Sequence, residues 1–216
     1  MGDGLKKILV LGTRTFAEEI ADVISEVPDV EIVGFVENMD KERCKEKIAG
    51  LPVFWIDEIG KFADSHCAVC GLGTTRRNIF TEQISRYNIP FAKLVHPSAT
   101  VSKKSSLGEG TVVGVGAIIA SNTQIGNHVI INRGATIGHH TNIGSFVTIG
   151  PGANVAGNCE VGSKVYIGIG STVIDHIKIG DNSIIAAGAV VIEDVPSRVI
   201  VAGVPAKILK RNVNNI

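Results

Sequence analysis

From residue 95 onward the apolar positions fall on a beat of six. Every sixth residue from Val95 to Val191 is Val, Leu or Ile, seventeen in succession without an insertion or a skip. Two places before most of them stands a small residue, such as Thr111, Ala117, Thr123, Ala135, Thr141 or Ala153, and Gly often follows. In a short strand, positions i−2 and i point to one side, so each hexapeptide offers one small and one large residue inward. The Gly and Asn that follow permit sharp corners, including residues with φ > 0. The period is that of a hexapeptide-repeat solenoid, a parallel β-helix; a sheet sandwich needs turn signals every 8–12 residues. One coil cannot bury its own apolar row, but coils stacked about 4.8 Å apart share a continuous core. Each inward Ile or Val then contributes on the order of 1.5–3 kcal/mol against the ordering cost.

The first ninety residues carry a different pattern. "KKILVLG" (6–12) reads as a strand, and "TFAEEIADVISEV" (15–27) as a helix with Phe16, Ile20, Val23, Ile24 and Val27 at helical spacing. "VEIVGFVEN" and "CAVCGL" read as further strands and "RRNIFTEQISRYN" (76–88) as a second helix. This alternation predicts a small Rossmann-like α/β domain over 1–94, followed by the β-helix over 95–193 and a tail over 194–216 that leaves the solenoid. Ligands of such sheets lie beyond the carboxyl ends of the strands, here at Gly12-Thr13-Arg14, Glu37-Asn38 and 71–73. The turn "GTRTFA" lacks the G-x-G-x-x-G fingerprint, which argues against a dinucleotide. A mononucleotide within a sugar nucleotide remains compatible, since a helix N-terminus favours phosphate. The alternative is a domain that only caps the solenoid.

Composition narrows the partners. Formal net charge is zero, which gives no electrostatic footprint for nucleic acid or anionic lipid. Residues 95–193 hold ten of the forty-two charged residues, so the prism has largely uncharged flanks, the kind of surface that marks an interface. Homo-oligomerisation is expected there. No apolar run reaches the ~18 residues of a membrane span and the N-terminus lacks a signal peptide's apolar core, so a cytoplasmic protein without membrane insertion is expected. Cys67 and Cys70 form a lone C-x-x-C that points to opposite faces of its strand, and no second pair completes a metal site.

Candidate chemistry sits in "NRGATIGHHTNIGSFVTIGPGANVAGN" (132–158), where His139 and His140 interrupt the beat on a turn. Imidazole suits general-base work near neutral pH; the other reading is two polar residues on an exposed corner. Backbone N–H groups around 151–157 are candidates for stabilising an oxyanion. Asn132 is either a site residue or a turn residue chosen for the left-handed conformation. His66, His96 and His128 read as surface or packing residues. With 18 residues per coil, His140 and His176 share an edge two coils apart, about 10 Å. That spacing is similar to the zinc-binding histidines of trimeric β-helix carbonic anhydrases, with Asp181 where a third histidine is due.

The strand-turn-helix opening, "GLGTTRRNIF", "LVHPSA", the 132–158 block, "IGIGSTVI", "IAAGAVV" and the closing "AGVPAK" together resemble a bacterial sugar acyltransferase family. It comprises the NeuD-type sialic acid O-acetyltransferases and the PglD-type nucleotide-sugar N-acetyltransferases. The resemblance implies a left-handed parallel β-helix that forms a homotrimer, acetyl-CoA between neighbouring prisms, no metal, and a nucleotide-activated amino sugar on the N-terminal domain. It places the catalytic base on His139, with His140 beside it where the family usually has Asp or Glu, and a position near the reacting group on Asn132. Coenzyme contacts fall on Thr148, Ile169 and Ala187. Nucleotide contacts fall on Thr13, Arg14, Thr15, Glu37, Asn38 and Gly73. The implied activity is N-acetylation of a nucleotide-linked amino sugar, of the UDP-, GDP- or dTDP-4-amino type, for surface polysaccharide or glycan synthesis. The alternatives are O-acetylation of a sialic acid or related sugar, and a non-catalytic scaffold trimer.

Overall fold

The computed structural model describes residues 5–211. The chain divides into two compact units, one made of residues up to 73 with 77–97, the other of 74–76 with residues from 98 onward.

In the first unit β1 (Lys6–Leu11) lies between β2 (Val30–Glu37) and a later strand, His66–Cys70, both parallel to it. Two strands escaped the sequence pattern. They are β3 (Lys47–Ile48) and β4 (Leu51–Trp55), which form a hairpin through Ala49 and Gly50, both with positive φ. Counting them, His66–Cys70 is β5 and the order is β3-β4-β2-β1-β5. β4 is half-buried and contains Pro52, so it shows none of the alternation that announces a strand. Helix α1 (Thr15–Ser25) stops two residues short of the expected end. It buries Ala17, Ile20, Ala21 and Ile24, while Phe16, Val23 and Val27 stay half-buried. The two alanines take the sheet-facing stripe because the helix lies very close: a Cβ on Gly71 would stand 2.8 Å from the Ala17 Cα. Helix α2 (Asn78–Ser85) follows a short 3₁₀ turn, Thr75–Arg77, and is shorter than the expected span. Leu9, Leu11, Val36, Ala68, Phe80 and Ile84 form the core between sheet and helix.

The second unit is a parallel β-helix. Two-residue strands recur every six residues, and each pairs in parallel with the strand eighteen residues on, as in Ile119↔Ile137↔Val155 and Ile125↔Ile143↔Val161. Three strands therefore make one coil. From Val113 on, no position of the six-residue beat is more than 4% exposed. Val101 and Leu107 of the first coil remain half-buried, each pairing with a coil on one side only. The small residues two places earlier are fully buried, and their hydroxyls are satisfied across coils: Thr123 donates to the Gly138 carbonyl and Thr141 to that of Ala156.

The three edges differ in how they turn. One carries Asn122, His140, Asn158 and His176 in the left-handed region, and a second carries His128, Phe146, Lys164 and Asn182. The third uses only glycine, at positions 116, 134, 152, 170 and 188. The tail does not leave the solenoid at residue 194. Val195 bridges to Ile179, and Val199–Gly203 lies parallel on Ile184–Ile185 before Ala206–Arg211 folds back antiparallel. The partial coil was hidden because its register drops from eighteen residues to sixteen, as Ile185↔Val201 shows. The last part of the expected tail, 212–216, and residues 1–4 of the expected first domain lie outside the described residues.

Candidate active site

The strands Thr136–Ile137 and Asn142–Ile143 bracket the corner that holds both histidines. Ile137, Thr141 and Ile143 turn into the core, which leaves the two imidazoles outside. The corner is pinned from both neighbouring coils: the His140 N–H donates to the Ser121 carbonyl (3.0 Å), and the Asn158 N–H donates to that of His139 (2.9 Å). Gly138 makes this stacking possible, since a Cβ there would stand 2.4 Å from the Gly157 nitrogen.

The imidazoles hold one another. His139 Nδ1 lies 3.1 Å from His140 Nδ1, with ring planes at 82°, and His140 Nε2 lies 3.1 Å from the side-chain amide of Asn122, one coil back. The next coil supplies a floor. A Cβ on Gly157 would be 2.8 Å from His139 Cε1 and 3.0 Å from Nε2. Gly157 has no positive φ, so room for the ring is what excludes a side chain there. Asn122 was not singled out by the sequence, and Gly157 only as the end of the 151–157 stretch, not as a seat for the ring. The eighteen-residue register counted from His140 and His139 finds both.

Two of the expected coenzyme residues stand on the glycine edge, the corner that precedes the histidines in the coil. Ile169 (55% exposed) and Ala187 stand in register beside Gly170 and Gly188, where an added Cβ would meet nothing within 4 Å. Intramolecular packing therefore does not demand glycine here, and the edge is open to a ligand or another chain. Thr148 differs. It lies on the strand leading into this edge and is only 3% exposed. Asn132 opens the same edge, but its φ is not left-handed; Gly134 makes that turn. Its amide instead donates to the Ile149 carbonyl (3.0 Å), which overturns the turn-residue reading. The expected oxyanion donors are also largely engaged. The N–H groups of Gly152, Asn154 and Ala156 bond to neighbouring coils, and that of Ala153 bonds to Gly150. Within one chain, His139 and the glycine edge sit at successive corners, separated by six residues, or up to ~20 Å of extended chain.

In the first unit the carboxyl ends of β1 and β2 form a polar cluster. Thr13 donates to Glu37 Oε2, and Glu37 Oε1 accepts from the N–H groups of Asn38 (2.9 Å) and Met39 (2.8 Å). Arg43 bonds the Thr13 hydroxyl (3.0 Å) and carbonyl (2.6 Å). Burial by itself raises the Glu37 pKa, but the Thr13 hydroxyl and the loop N–H groups outweigh it and hold the carboxyl below its ordinary value. Glu37 and Thr13, both nearly inaccessible, shape the loop 38–40. Arg14 and Thr15 are exposed at the start of α1, and Asn38 reaches Gln83 of α2 (2.7 Å). Gly73 lies against the Phe16 ring. Arg43 carries no motif that marks it in the sequence.

Of the remaining histidines, His66 meets the Ser65 hydroxyl (2.7 Å), His96 lies against Glu26 (3.0 Å) and His128 stacks on Phe146, while His176 is exposed beside Asp175 (3.6 Å). Asp181, the third position of the rival zinc reading, accepts from the Ser163 N–H (2.7 Å) at a different edge from His140 and His176. Among the described residues no three potential ligands converge. Burial pushes the Cys70 thiol up to about 11, so it is an inert core residue.

The bacterial transferase hexapeptide model (six repeats) matches residues 158–193. No curated protein matches the chain. Among solved structures, a variant of perosamine N-acetyltransferase from Caulobacter crescentus, in complex with CoA and GDP-perosamine, is 28% identical with a TM-score of 0.87, covering 95% of this chain and 97% of its own. The acetyltransferase domain of PglB from Neisseria gonorrhoeae FA1090, with acetyl-CoA, is 28% identical with a TM-score of 0.87, covering 95% and 100%. WeeI from Acinetobacter baumannii AYE is 26% identical with a TM-score of 0.86, covering 94% and 100%. These neighbours are of the kind the sequence motifs resemble.

Proposed function

We propose that this chain is an acetyl-CoA-dependent N-acetyltransferase of a nucleotide-linked amino sugar, working as a homotrimer of left-handed β-helices. The observation that carries this reading is an exposed, clamped imidazole corner in a chain similar over nearly its whole length to sugar N-acetyltransferases. The first unit serves as a Rossmann-like holder for the nucleotide, with the N-terminus of α1, Arg14 and Thr15 toward phosphate and the loop shaped by Glu37 toward the nucleoside. Ile169 and Ala187 flank the acetyl donor along the glycine edge. A cytoplasmic location, where acetyl-CoA is made, goes with this activity. Among the described residues, no helix is long and apolar enough to cross a membrane.

The geometry of the edges supports an assembly of more than one copy. The imidazole and the donor edge of one chain occupy different corners, so the reading requires a second copy to bring its donor edge to His139. The sugar amine then attacks the thioester carbonyl carbon while His139 Nε2 takes the amine proton. The C–N bond forms, the C–S bond breaks, and the coenzyme thiolate leaves and is reprotonated from the imidazolium. General-base help of this kind is worth about 10²–10⁴-fold.

The test is thiol release from acetyl-CoA with UDP-, GDP- and dTDP-linked 4-amino sugars, against sialic acid as a hydroxyl acceptor. Turnover dependent on one amino sugar is expected. Turnover with the hydroxyl acceptor alone would establish O-transfer, and none with any acceptor would leave a scaffold. The Gly157 seat gives a second check. Gly157→Ala is expected to keep the fold but push the His139 ring aside and lower kcat roughly 10–10²-fold. Unchanged kinetics in that variant would mean the ring's position is immaterial.

A further inference from the structure

The corner contains a three-membered chain of side chains whose polarity decides what His139 can do. We infer that Asn122 and His140 are positioning residues that set the tautomer of the His139 imidazole, in place of an acidic partner. The inference rests on the acetyltransferase reading for its purpose but not for its geometry.

The argument is one of proton accounting. To take a proton at Nε2, His139 must carry its own hydrogen on Nδ1, because a neutral imidazole holds one. That N–H points at His140 Nδ1, 3.1 Å away, which must then be bare and accept it. His140 is thereby left with its hydrogen on Nε2, and the atom 3.1 Å from Nε2 is Asn122 Nδ2, itself a donor, so the relay requires the amide to turn over and present Oδ1. An amide presents an acceptor at one end and a donor at the other in nearly the same volume. With Oδ1 toward His140, the chain runs from His139 Nδ1–H to His140 and from His140 Nε2–H to Asn122, leaving His139 Nε2 open for the amine proton. With Nδ2 toward His140, every hydrogen reverses and His139 Nε2 is blocked. A carboxylate would enforce the first direction outright; His140 passes the requirement one residue further, to Asn122.

The fold supports the relay. Asn122 and His140 occupy the same edge in register, eighteen residues apart, both left-handed with φ of 57 and 55. The His140 N–H bond to the Ser121 carbonyl and the Gly157 floor beneath His139 fix both rings relative to Asn122. Asn, Asp and Gly tolerate this backbone conformation, so substitutions among them change the amide without adding strain.

The experiment combines kinetics with ¹⁵N NMR of histidine-labelled protein, which reads directly which ring nitrogen carries hydrogen. In the wild type His139 is expected to show Nδ1–H and a bare Nε2. Asn122→Gly is expected to lower kcat roughly tenfold with KM little changed, and to shift His139 toward the other tautomer. Asn122→Asp, which offers only acceptors, is expected to recover most of that loss and to restore the Nδ1–H signature. An Nε2–H tautomer in the wild type, or Asn122→Asp as impaired as Asn122→Gly, would overturn the relay. Failure of the acetyltransferase reading would look different: the expected tautomers with no acetyl transfer to any amino sugar.

Discussion

Replacing His139 with alanine is expected to cut turnover at least ~10²-fold while leaving the assembly and its thermal midpoint close to wild type. Both halves of that expectation come from the corner. The imidazole is exposed, and the coil is held by backbone bonds on either side of it. The alanine therefore removes the base without opening a cavity. Since the interaction acts on proton transfer, the loss should fall on kcat more than on KM. Steady-state kinetics and size-exclusion chromatography on the same preparation check it. Wild-type rates in a folded variant would eliminate the assignment of His139.

The second large effect concerns the solenoid. Ile143→Asp should abolish soluble, folded protein. Ile143 is 3% exposed and stacks between Ile125 and Val161, so the new carboxylate would be buried in an aliphatic row. Burying an unpaired charge costs several kcal/mol, and the lost apolar side chain costs on the order of 2–5 kcal/mol more. Together these approach the whole stability of an ordinary domain, about 5–15 kcal/mol. Circular dichroism of the soluble fraction is the check. A variant that folds normally would show that the inward register is wrong.

The solenoid was legible in the sequence because its design is local. Each inward residue is decided six residues at a time, and pairing at eighteen follows from three faces. The same reasoning fails where the period slips. Val195 and Val201 continue the apolar row, but a register of sixteen breaks the count at residue 194. The hairpin of β3 and β4 was missed because β3 has only two residues and β4 has one buried residue in five, which leaves no pattern. Candidate site residues divided in the same way. His139, Ile169 and Ala187 stand on exposed corners that the beat predicts. The burial of Thr148, the orientation of Asn132 and the engagement of Arg43 with Thr13 depend on packing across elements, which no local pattern encodes.

The central claim is that a base from one copy meets a donor held on another, and mixing subunits tests it most directly. His139→Ala keeps the donor edge, and Ala187→Trp obstructs that edge while keeping the base. Each is expected to be inactive alone. If the site lies in the seam, every mixed trimer has one seam where an intact base faces an intact edge. Random mixing should then restore about a quarter of wild-type turnover. Mixed trimers no more active than their parents would place both halves of the site in a single chain and contradict the account.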